Sequence, residues 1–150
     1  MTKDDGDLTE MLNELRVLLP GSQLLTAFLI SVPFMPGFRQ VIQAEKWIFM
    51  ATFICSLASL ILFAAPAVQH RMLRPLRNRV AFKNMATRQI LVGVIFLASA
   101  LVLAASLVVS EVFGHGLGTG VAAGIGLLIV SLWYWLPSRQ REKLCSGPVN

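Results

Sequence analysis

Charge is missing from this sequence over long distances. Residues 20–38, 47–68, 89–110 and 117–136 contain no Asp, Glu, Lys or Arg. A soluble helix solvates its outer face with interspersed charge, so runs of this kind exclude an ordinary water-soluble domain. Acidic residues are absent from His70 to Arg88, the segment between the second and third runs. Cysteine is scarce: Cys55 lies inside an apolar run and Cys145 in the tail, which excludes a disulfide framework. The two histidines stand far apart, and no His/Cys cluster has metal-ligand spacing, so no metal is expected. HExxH, a nucleophile elbow and a phosphate-binding glycine loop with its lysine are also lacking, so neither catalysis nor a cofactor is expected. The start, MTKDDGDLTE, lacks the basic opening of a secretory signal, and the first apolar run is expected to remain in the mature chain. The basic segment is short and Phe82 is its only aromatic residue, which argues against nucleic acid as a partner.

What is present is apolar length. Each run approaches the roughly 20 residues that cross a bilayer as a helix, and a chain in lipid must satisfy its backbone internally. The expectation is an all-α fold, an integral membrane four-helix bundle with spans at about 20–38, 47–68, 89–110 and 117–136. Residues 1–19 form an interfacial lead. Within it Asp7 and Glu10 stand as in a capping box, and Leu8, Met11, Leu12, Leu15 and Leu19 recur at helical spacing, which predicts either a short amphipathic helix in the interface or a frayed extension of the first span. Pro20-Gly21 marks the junction with the first span, and Pro33 and Pro36 should unwind the end of that span. Residues 69–88 are read as a basic loop and 137–150 as a basic tail.

Threading direction follows from the cations. Lys3, Arg16, Arg71, Arg74, Arg77, Arg79, Lys83, Arg88, Arg139, Arg141 and Lys143 fall on the side shared by the termini and the central loop, against Arg39 and Lys46 on the other. Positive residues are retained inside, so both termini are expected in the cytoplasm.

Chemistry inside a membrane needs ionisable groups facing the interior of the bundle. Glu14, Arg16, Arg39, His70, Glu111 and His115 all stand at span ends, where a solvated or snorkelling role is the ordinary one. Ser22, Gln23, Thr26 and Ser31 make a polar patch on the proline-broken first span. They suit hydrogen bonding between helices or, with Glu111, a polar pathway for ions. Arg71, Arg74, Arg77, Arg79, Lys83 and Arg88 suit contact with anionic lipid headgroups. Ala51, Cys55 and Ser59, Ala100 and Ala104, and above all Gly116, Gly120 and Gly124 are small residues at intervals of four, which permit close helix packing. That packing serves the bundle itself or a homo-oligomer. Trp133, Tyr134 and Trp135 are placed to anchor the fourth span at the headgroups.

The run NELRVLLPGSQLLTAFLISVPF, Asn13 to Phe34, resembles the opening of a family of small bacterial four-span membrane proteins known as a domain of unknown function. Glu14 and Arg16, Pro20-Gly21, Gln23, Phe28 and Pro33-Phe34 carry the resemblance, and Pro66 with His70-Arg71 extends it. It covers the first two spans, and the last two in hydropathy only. It implies four helices in a bacterial inner membrane. Some relatives carry the label sodium:proton antiporter, a class that is larger and relies on buried carboxylates. The expected function is therefore a non-enzymatic membrane component that contacts lipid or protein partners. The alternative is a small oligomeric cation or proton transporter or channel.

Overall fold

The computed structural model describes residues 3–72 and 79–135, and every regular element in them is helical, as the sequence leads one to expect. Four long helices follow one another: α1 (Lys3–Ser31), α2 (Gln43–Met72), α3 (Arg79–Phe113) and α4 (His115–Val130). The helical stretches Asn13–Phe34, Gln43–Met72, Ala81–Phe113 and His115–Trp133, which take in the turns after α1 and α4, are each long and apolar enough to cross a membrane. Only 11 to 22% of the residues in their most apolar windows are buried inside the protein. Val17, Leu24, Ile61, Val108 and Leu127 stand outward while serines and threonines are buried, the inverse of a water-soluble surface. Four such helices define a membrane-spanning protein.

Local signals and tertiary packing compete in α1. The sequence divides this stretch at Pro20-Gly21, yet α1 crosses the pair without a break and Pro20 lies inside it. Proline there forfeits the bond to the Arg16 carbonyl, a loss that packing on both sides outweighs. Leu15, before the proline, is buried with Phe63, Phe82, Ala86, Ile90 and Leu97, and Ser22, Thr26 and Leu29, after it, are buried too. The lead and the first span are thus one element, so the lead is an extension of the span and not a separate helix. It ends at Ser31, short of the expected Phe38, in a 3-10 turn (Val32–Phe34) that contains Pro33. A second 3-10 turn, Phe38–Gln40, leads into α2, with the Phe38 ring edge-on to Phe49 at 5.1 Å between centroids.

The basic connector is also shorter than the sequence suggests. His70 and Arg71 belong to the last turn of α2, and Arg79 through Arg88 to the first turns of α3. Residues 79–88 hold neither proline nor glycine, and Phe82 and Ala86 one turn apart are buried, which extends the helix out of the third apolar run. At 35 residues α3 is about 50 Å long, well beyond the roughly 30 Å of hydrocarbon, so its basic start has room to stand clear of the apolar layer.

The chain forms two compact units, Met1–Ala100 and Leu101–Asn150. In the first, α1, α2 and the start of α3 meet along stripes spaced by threes, fours and sevens. These are Leu15, Ser22, Thr26 and Leu29; Glu45, Thr52, Ser56, Ser59, Phe63 and Pro66; and Phe82, Ala86, Ile90, Gly93, Leu97 and Ala100. Such spacing lays one stripe along each helix. In the second, α3 turns into α4 through the single residue Gly114, whose φ of 89° is left-handed and suits glycine. Gly114 N–H donates to the Ser110 carbonyl at 2.9 Å, and Gly118 N–H donates to the Gly114 carbonyl at 3.1 Å. The fourth span finishes in a π-wound turn, Ser131–Trp135, with Trp133 and Trp135 exposed.

Candidate functional site

Among the described residues, four buried hydroxyls come together between α1 and α2. Ser22 Oγ lies 2.8 Å from Ser59 Oγ, and Thr26 Oγ1 lies 2.7 Å from Ser56 Oγ. Within each helix, Thr26 donates to the Ser22 carbonyl at 2.8 Å and Ser59 donates to the Ser56 carbonyl at 2.8 Å. A hydroxyl has one proton, so these two bonds decide the others. Ser22 donates to Ser59, and Ser56 donates to Thr26. The result is reciprocal: each serine donor reaches a hydroxyl on the opposite helix, which donates in turn to the backbone of the other serine donor. All four protons are spent, and each relay ends on a carbonyl, which has no proton to pass on. The arrangement clasps two antiparallel helices; interhelical bonds of this type contribute about 0.6 kcal/mol each on average, up to about 1.7 kcal/mol.

The polar patch read from the sequence is divided by this geometry. Ser22 and Thr26 enter the clasp, but Gln23, one residue round the helix, is exposed. Ser31 is exposed as well and donates to the Phe28 carbonyl of its own helix at 2.6 Å. Glu111 is exposed at the end of α3. On α2 the stripe toward α1 is Thr52, Ser56 and Ser59 rather than the expected Ala51, Cys55 and Ser59; Ala51 is exposed and Cys55 half-buried. The shift follows from helix geometry, because a stripe drifts between steps of three and four and a strict interval of four leaves it.

Glu45 escaped the sequence reading. It stands in the first turn of α2 and is buried, the one charged side chain among the buried polar residues described. It precedes Thr52 by seven positions, and that interval was the available signal. Thr52 itself is fully buried and donates to the Ile48 carbonyl at 2.8 Å.

The glycines of α4 separate into two groups. Gly118 is buried against α3, where a Cβ would stand 3.0 Å from the Ser110 Cα and overlap its Oγ. Gly126 faces Val102, and Ile129 is buried further along the same side. Gly116, Gly120 and Gly124 are exposed, and a Cβ added at any of the three would meet nothing within 4 Å. Of the connector cations, Arg71 and Arg88 are exposed and Lys83 is half-buried. Arg74, Arg77 and the tail cations Arg139, Arg141 and Lys143 lie outside the described residues, as do the side chains of Asp7, Glu10, Arg79 and Tyr134. Among the described residues no three His, Cys, Asp or Glu side chains come together as metal ligands.

Helical spans joined by hydroxyl contacts and close glycine packing place the chain among multi-pass α-helical membrane proteins. More particularly, it belongs to the Family of unknown function (DUF6328), which it matches over residues 2–137. The resemblance carried by Asn13–Phe34 is to a family of unknown function, in agreement with this membership. No curated protein and no solved structure matches the chain.

Proposed function

We propose that the protein is a non-enzymatic component of a bacterial inner membrane, threaded with both termini in the cytoplasm, that acts by association through the outward face of α4. The observation that carries this reading is the division of the glycines. Gly118 supports the contact of α4 with α3, whereas Gly116, Gly120 and Gly124 leave backbone open on another face. Glycine is a costly residue in a helix, about 1 kcal/mol worse than alanine, and in lipid a face of small residues repays that cost when a second backbone packs on it. A second copy of this chain supplies such a backbone. Arg71, Lys83 and Arg88, near the connector, suit anionic headgroups at up to about 1 kcal/mol each. The test is the mass of the protein in mild detergent. Gly120→Ile should convert a dimer or larger assembly to monomer while leaving helicity unchanged; an unaltered mass would overturn the reading.

A second reading, a small oligomeric transporter or channel for protons or cations, is favoured by Glu45. A carboxylate buried on the stripe that continues into Thr52, Ser56 and Ser59 is the residue type such a pathway uses. Purified protein in liposomes with a pH-sensitive dye and a sodium step separates the two readings. A flux removed by Glu45→Gln or Glu111→Gln would establish transport.

A further inference from the structure

Gln69 on α2 and Gln89 on α3 each bury their Oε1 atom with no hydrogen-bond partner. They are the only side-chain oxygens or nitrogens of this kind among the described residues. Two contacts fix their setting. Phe63 packs on Gly93, and the ring of His70 lies 5.9 Å from that of Phe82, so α2 and α3 run antiparallel here. In that register Gln69 falls opposite the region of Ala86 and Gln89 opposite the region of Pro66. The two amides therefore share one stretch of the interface, about 3–9 Å apart along the helices at roughly 1.5 Å per residue. Each stands three residues beyond a fully buried neighbour, Pro66 for Gln69 and Ala86 for Gln89, on the inward side of its helix.

We propose that Gln69 and Gln89 hold one internal water molecule between α2 and α3, at the end nearest the basic connector. A buried acceptor without a donor is costly, and two on facing helices ask for a shared donor. On the α3 side Phe82, Ala86 and Ile90 are apolar, and the hydroxyl of Thr87 is spent on the Lys83 carbonyl at 2.9 Å. Counting protons selects the ligand. Two acceptors match the two protons of water, whereas a single hydroxyl offers one. A hard cation such as calcium or magnesium takes about six oxygens or more, which two amides do not provide. Water reaches the site from the connector side, where the cations of the helix ends are solvated.

A double-mutant cycle on the full chain in lipid nanodiscs tests the assignment. Gln→Met keeps length and helix propensity while removing the acceptor. Gln69→Met and Gln89→Met alone should each lower the unfolding midpoint, by roughly 3 °C or more, because each leaves a proton of the water or the opposite oxygen unpaired. The double variant should recover most of the loss, since neither acceptor remains. Two rises that add would mean the oxygens bind nothing, and two losses that add would mean they act separately; either overturns the proposal. Where a variant does not fold, the wild-type protein still decides. Cross-relaxation from a long-lived water to the side-chain amide protons of both Gln69 and Gln89 is expected, and its absence at either residue overturns the assignment.

Discussion

Gly93 on α3 leaves the space that the ring of Phe63 on α2 occupies: a Cβ at position 93 would stand 2.7 Å from Phe63 Cε1 and 3.0 Å from Cδ1. The ring has nowhere to retreat, because Phe63 is fully buried, and Leu62 Cβ would lie 3.2 Å away on the same side. Gly93→Val should therefore destabilise the protein by about 1–3 kcal/mol, the usual cost of overfilling a packed site. Denaturation in detergent reads the loss. Pairing Gly93→Val with Phe63→Leu should restore part of it, and a pair that is simply additive would show that the two residues do not share this space.

The hydroxyl clasp predicts coupling of a different sort. Ser22→Ala removes a donor to Ser59, and Ser59→Ala removes the acceptor, so the two changes delete the same interhelical bond. Each should cost about 0.5–1.5 kcal/mol, and the double variant less than the sum. Ser22→Ala combined with Ser56→Ala touches both relays and should come closer to additive. If the Ser22/Ser59 pair showed no coupling, the bond between them would contribute nothing to holding α1 on α2. Thr26→Val should be the costlier single change, since it deprives the Ser22 carbonyl of its side-chain donor and Ser56 of its acceptor together.

Threading has its own test. Eleven cations against two is a large asymmetry, and the cost of carrying arginine across the apolar layer sets the direction. A reporter fused after Asn150 should be active on the cytoplasmic side and silent in the periplasm. Periplasmic activity would reverse the proposed orientation of every span.

The spans were legible in the sequence because uncharged length is a property of composition, which needs no knowledge of contacts. Faces were harder to read. The interval of four through Ala51, Cys55 and Ser59 looked like a packing stripe, but the contact with α1 follows Thr52, Ser56 and Ser59, and the two differ by a rotation too small for composition to reveal. Proline misled in one place and informed in another. At Pro20 the flanking Leu15, Ser22 and Thr26 hold the helix through, whereas Pro33 stands where α1 gives way to a 3-10 turn. Glu45 was passed over because a carboxylate beside Lys46 at a span end reads as solvated. It is nevertheless buried, seven positions before Thr52 on the same helix.

The final contrast sets two faces of one helix against each other. Gly118 and Gly120 are two residues apart on α4 with the same local sequence character, so secondary-structure propensity treats them alike. Their surroundings do not: Gly118 meets Ser110, and Gly120 meets nothing within 4 Å. Gly118→Val should damage the turn of α3 into α4, because the added carbons meet the Ser110 backbone as well as its side chain. Ser110→Gly would relieve only part of that conflict, since the Cα remains 3.0 Å from the new Cβ. Gly120→Val should leave the folded monomer intact, or slightly stiffened by the loss of a flexible residue from the helix. Thermal unfolding of the two variants as monomers in strongly dissociating detergent separates them. A fall for Gly118→Val of about 3 °C or more beside an unchanged or raised midpoint for Gly120→Val is the expected pattern. Equal falls would mean that both glycines are packed within one chain, and the open face of α4 would then have no partner to receive.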